Sequence, residues 1–173
     1  VDPAAQPDAG LRAAAASHLA KVAPHCGLVP AQTDAVAKRL ANLASQETNW
    51  MAVTGEIEAV GEMLASKLPP AQAESVAASM ATILNNVTQR VQSGEHPDLV
   101  RALQRGLLVV RNQLTTPQSP GKKLLQGIGP SLTAIDGMER KPPEKISQNA
   151  QLDAAFKNVV ITADLLQRLS SEK

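Results

Sequence analysis

The chain has 173 residues, 43% of them hydrophobic but only 1% aromatic, which is room for one domain with a real core built from Ala, Leu, Val and Ile. Lys and Arg number 17 against 16 Asp and Glu, for a net charge of +1. That balance excludes the basic face, and the composition excludes the aromatic platforms, by which nucleic-acid binders announce themselves.

Taken in chain order, residues 1–8, with Pro3 and Pro7, predict a flexible lead-in. DAGLRAAAASHLAKVA predicts a first helix, with Asp8 as its N-cap and Pro24 as its stop. The connector PHCGLVP follows, and Pro30 opens a second helix in which Val36, Leu40 and Leu43 share a face. After a break near residues 45–48, NWMAVTGEIEAVGEMLASKL predicts a third helix with a stripe of Met51, Ile57, Val60 and Leu64. Gly55 and Gly61 weaken it by about 1 kcal/mol each relative to Ala, unless a neighbouring helix packs closely there.

The next helix has the clearest stripe. In ESVAASMATILNNVTQRV, Val76, Met80, Ile83, Leu84, Val87 and Val91 recur at helical spacing, and Gly94 is a suitable C′ residue. HPDLVRALQRGLLVVRNQLTT predicts a fifth helix, with Pro97 in its first turn and Leu99, Leu103, Leu107, Val110 and Leu114 buried. The pattern then deteriorates. Pro117, Pro120, Pro130, Pro142 and Pro143, with Gly121, Gly127, Gly129 and Gly137, predict an irregular crossover over 116–146, holding short helical pieces around KKLLQGI and SLTAIDGM. A long helix, ISQNAQLDAAFKNVVITADLLQRLSS, ends the chain.

These elements predict an all-α fold over residues 9–173, a single up-and-down-type bundle of about five long helices with a Pro/Gly-rich crossover before the last. No strand alternation or fixed repeat competes with it. A buried Leu or Val contributes about 1.5–3 kcal/mol, so the stripes are expected to pack mostly on one another.

Chemistry is sparse. His18, His25 and His96 are scattered, and Cys26 is the only cysteine, which excludes an internal disulfide. His25–Cys26 reads as a connector dipeptide with a partly buried thiol rather than a metal site. GIGP lacks the context of a phosphate loop, and PGKK is not a Walker motif. Glu56 and Glu58 read as ordinary surface charges. The tripeptide NVT at Asn86–Thr88 matches a glycosylation acceptor but falls mid-helix, where chance is the better account. Trp50 and Phe156 read as core or the cap of a core. No cofactor or metal is expected.

In the last helix Leu152, Ala155, Val159, Ala163 and Leu166 recur along LDAAFKNVVITADLL. This short stretch resembles the helices by which talin-type bundles engage vinculin, although Phe156 and Thr162 depart from that pattern. The resemblance implies only that an Ala-rich bundle of this kind serves as an adaptor.

The expected function is therefore a non-enzymatic protein-interaction domain: an adaptor, a secreted effector module, or the helical part of a larger surface protein. Its expected contact residues are Lys122, Lys123, Arg140, Lys141 and Lys145, which gather in the 116–146 segment and would attract an acidic patch of a protein partner. The alternative is a bundle sheltering a small apolar ligand, with Met51, Met63, Met80 and Met138 as lining. A third reading is an enzyme built on Cys26 with His18 or His96. No run of ~18 apolar residues suggests a membrane span. The chain opens without an initiator Met or a signal-like apolar core, as a processed form would once a targeting signal is removed, and the expected location is that of a soluble protein with secretion or export left open.

Overall fold

The computed structural model describes residues 7–22, 30–116 and 120–171. The predicted lead-in up to residue 6, the His25–Cys26 connector with its Pro24 stop, and Pro117 lie outside the described residues. Among the described residues the protein is all-helical, without strands, and its helices pack against one another.

Helix α1 (Ala9–Val22) begins where Asp8 Oδ1 accepts from the Leu11 amide at 2.9 Å, so Asp8 caps it as its residue type suggests. Helix α2 (Pro30–Gln46) leads through Glu47 to Asn49. There the side-chain oxygen accepts from the amides of Met51 (2.9 Å) and Ala52 (3.3 Å) and starts α3 (Trp50–Ala65). Pro69 and Pro70 separate α3 from α4 (Pro70–Gln92), which stops at Gly94 with φ +73°, a conformation that glycine adopts without penalty. A 3₁₀ turn at Pro97–Leu99 precedes α5 (Val100–Thr115).

The stretch expected to be an irregular crossover forms helix at both short pieces expected there, around KKLLQGI and SLTAIDGM, and adds a third. It holds α6 (Gly121–Gly127), α7 (Gly129–Arg140) and α8 (Glu144–Ser147). Pro120, Pro130 and Pro143 sit at the starts of these helices, where a missing N–H costs nothing, so they punctuate helices rather than prevent them. Leu124, Leu125, Ile128, Leu132, Ile135, Met138 and Ile146 all enter the core. Asn85 of α4 fastens the corner between α6 and α7: its Nδ2 donates to the Gly127 carbonyl at 3.0 Å, and its Oδ1 accepts from Ser131 Oγ at 2.6 Å. The last helix also starts later than expected. Asn149 Oδ1 accepts from the Gln151 and Leu152 amides at 3.0 and 3.2 Å, dividing α8 from α9 (Ala150–Ser171).

The most extensive packing joins helices two apart in the chain: α1 on α3, α2 on α4 and α3 on α5, with α5 also against α9. Chain neighbours also pack, α2 with α3, α3 with α4 and α4 with α5, but less extensively than a plain up-and-down order would have it. The α4 stripe, from Val76 to Val91, is wholly buried, as are Leu152, Ala155, Val159, Ala163 and Leu166 of α9. Among the predicted stripe positions Met51 is exposed, at 44%, and Val36 and Leu114 are only partly buried. Trp50 packs at the core edge, with the Arg101 guanidinium 5.1 Å above its ring.

Candidate functional site

The basic residues of the 116–146 segment do not form one patch. Lys122 and Lys123 lie at the start of α6, beside a cleft of about 570 Å³ that also involves Glu74, Leu114, Leu125 and Leu169. Lys123 there pairs with Glu74 at 2.5 Å. Arg140 and Lys141 lie at the far end of α7, about 16 Å along its axis from Gly129, and Lys145 lies in α8. Gln167 Nε2 donates to the Leu132 carbonyl, so the start of α7 meets the end of α9 while Arg140 lies toward the start of α9. Arg140 is itself paired with Asp136 at 2.8 Å. Two of these cations thus lie at one end of α7 and three at the other.

The end of α9 next to Lys122 and Lys123 carries a different feature. Ile161, Leu165 and Leu169 follow one another at i, i+4 and i+8 and are 67%, 41% and 39% exposed. They form an apolar row on the outer face of a helix whose inner face is fully used in the core. Leu169 closes the row at the wall of the lysine cleft.

The methionines proposed as ligand lining are distributed otherwise. Met63, Met80 and Met138 are packed in the core and Met51 is exposed. None lines the cleft beside Lys122 or a second one, of about 330 Å³, bordered by Ser17, Glu58, Gly61, Arg105 and Gln113. His18 is exposed and His96 half-buried, and no three His, Cys, Asp or Glu side chains among the described residues gather as metal ligands would. Asn86 sits mid-helix and half-buried, with a buried side-chain oxygen.

The largest departure from the sequence reading is Glu56, which is no surface charge. Its side chain is wholly buried, and neither carboxyl oxygen has a hydrogen-bond partner among the described residues. Burial, and then the nearby Glu47 carboxylate, raise its pKa to about 8, against smaller opposing pulls from the chain's amino terminus and Arg12. Glu58, two residues on, remains half-exposed and pairs with Arg105 at 2.8 Å.

Glu47 and Arg12, 1% and 6% exposed, form a forked ion pair in which Arg12 Nε and Nη2 donate to the two Glu47 oxygens at 2.5 and 2.9 Å. Glu47 Oε1 also accepts from the amides of Thr48 and Asn49, at 2.9 and 2.8 Å. Burial works against the Glu47 charge, but the Arg12 bonds, these amides and the Arg12 charge outweigh it and hold the carboxyl below its usual range. Arg12 thus ties α1 to the end of α2. From the other side, Arg90 of α4 donates to the carbonyls of Ala44 and Glu47, at 3.3 and 2.8 Å. Chemically the cluster holds one satisfied carboxylate and one protonated, unsatisfied carboxyl in the interior.

A sequence signal for this existed in α3. Ala52, Gly55 and Ala59 give it a second row of small residues beside its Ile57–Val60–Leu64 stripe, and Gly55 is where α1 lies closest. A side chain at that position would meet the Ala13 carbonyl oxygen and Ala16 Cβ at 3.0 Å. Gly61 similarly faces Val109 of α5. A helix packed on two faces buries residues that one stripe leaves out, Glu56 among them. No protein-family model, no curated protein and no solved structure matches this chain, so what it does is argued from its own residues.

Proposed function

We propose that this protein is a non-enzymatic interaction module that binds a protein partner along the outer face of α9. The observation that supports the reading is the exposed row of Ile161, Leu165 and Leu169. Scattered exposed apolar residues are ordinary, but three in register along one rigid helix form a continuous ridge that a partner can cover. Such a ridge suits the apolar face of an amphipathic helix, which meets it through side chains at the same i, i+4 spacing. Lys122 at the Leu169 end offers a charge for the partner's acidic terminus.

The inner α9 residues that resemble a talin-type helix, Leu152 to Leu166, are engaged in the core, so the adaptor role rests on the outer row instead. The small-ligand alternative has less support, because the core methionines line neither described cleft. The test is affinity capture from an extract of the source with the wild type, an Ile161→Ser/Leu165→Ser/Leu169→Ser variant and a Lys122→Glu/Lys123→Glu/Lys141→Glu variant. A stoichiometric partner lost only with the serine variant supports the reading. A partner lost only with the lysine variant contradicts it.

A further inference from the structure

Glu56 is the one buried carboxyl with neither oxygen satisfied among the described residues, and a native structure that keeps such a group invites a functional account. Its position supplies one. The adjoining residue, Gly55, is the point at which α1 lies against α3, through Ala13, Ala16 and Ser17. This seam is closely packed but made by small side chains, with Leu19 of α1 packing partly buried against the core. The bulkier Leu11 of α1 points to solvent at 57% exposure. Helix α1 packs chiefly on α3 alone, and its strongest polar tether is Arg12 on Glu47.

We propose that α1 is a releasable latch, which undocks from α3 when the Glu56 carboxyl loses its proton to solvent. This inference is independent of the α9 surface. In the docked state Arg12 is already committed to both Glu47 oxygens and to the Pro7 carbonyl, at 2.7 Å, which leaves a newly ionised Glu56 beside a second carboxylate with no donor of its own. The charge of the chain's amino terminus and that of Arg12 both favour an ionised Glu56, but burial and Glu47 outweigh them. Arg90 of α4 is turned to the Ala44 and Glu47 carbonyls, while Arg101 and Arg105 of α5 engage the Trp50 ring and Glu58. Undocking lets water reach Glu56 and frees Arg12. Glu47 keeps its two backbone amide donors when Arg12 leaves, so the open state is not left with an unsupported carboxylate.

The sign follows from proton linkage. Glu56 holds its proton up to about pH 8 when docked and returns toward its ordinary value of 4.5 once solvated. Between those values the open state binds fewer protons, so rising pH favours opening. The opening constant then grows about tenfold per pH unit, is insensitive to pH below that window, and levels off above it.

Limited trypsin digestion of the full chain between pH 6.5 and 9 reads this directly. Cleavage after Arg12 is normalised to cleavage of the free peptide of residues 7–22, which removes the protease's own pH dependence, and cleavage in α5 after Arg101 and Arg105 serves as the control. The expected result is a normalised Arg12 rate that climbs about tenfold per pH unit to pH 8 and then flattens. The α5 rates stay low, and Glu56→Gln shows a flat, slower Arg12 rate. Glu56→Met, which equally lacks the titrating group, is expected to be flat as well and serves if the Gln variant misfolds. A flat wild-type profile, the same climb in either variant, or α5 cleavage rising in step with Arg12 would each overturn the latch.

Discussion

Glu56 and Glu58 stand about 200° apart around α3, which takes one into the interior beside Arg12 and Glu47 and leaves the other at the surface with Arg105. Because the folded protein holds the Glu56 proton and the unfolded chain releases it above about pH 4.5, stability falls as pH rises from there to about 8. Replacing Glu56 by Gln removes that dependence. The stability difference between Glu56→Gln and wild type is expected to widen by about 1.4 kcal/mol per pH unit from pH 5 to 8, measured by urea denaturation at fixed ionic strength. A difference that does not change with pH would show that Glu56 is solvated. Arg12→Met breaks a buried pair from one side, but Glu47 keeps its two amide donors and gains water as α1 undocks. The loss in the same assay is therefore expected to fall short of the about 3–5 kcal/mol of a stranded buried charge. Little of this could be read at a single position. Glu56 has the same residue type as its exposed neighbours, and its burial depends on which helix arrives at Gly55.

At the scale of elements, the individual helices were largely legible, because Asp8, Pro70 and Gly94 act within a few residues of themselves, whereas the Asn49 cap and the Asn149 cap that divides α8 from α9 were not read from the sequence. The 116–146 segment forms helix at both expected pieces but is more helical and more fully packed than its content of proline and glycine suggests, because the positions of those residues matter more than their number. Proline at the first turn of α7 and just before α6 and α8 is compatible with all three helices. Ile128 is wholly buried at the α6–α7 corner. Ile128→Ala is therefore expected to cost about 2–5 kcal/mol in the same denaturation assay, whereas a mere linker would show no loss. Gly55 makes the complementary point for α1. With a backbone oxygen 3.0 Å from a Cβ placed there, Gly55→Leu leaves α1 no seat. It is expected to expose Arg12 to trypsin at neutral pH while the other helices still melt cooperatively.

For the molecule as a whole, periodicity told which faces are buried but not against what. The pairing of helices two apart depends on long-range fit, such as Gly55 on α1 and Gly61 against Val109, that no local window contains. The same limit hid the surface row. Ile161, Leu165 and Leu169 lie among the inward residues of one Ala-rich helix, and only the packing of α5, α6, α7 and α8 on the other side shows which of them remain outside. The five cations seemed one group because they are close in sequence, and helix α7 separates them. Site-specific photo-crosslinking tests the central claim most directly: a photoreactive residue at position 165 on the outer α9 face is compared with one at position 141 at the far end of α7, both in source extract. The account predicts a discrete protein adduct from position 165 that disappears when Ile161 and Leu169 are also replaced by Ser, and none from position 141. An adduct from position 141 with none from position 165 would contradict it.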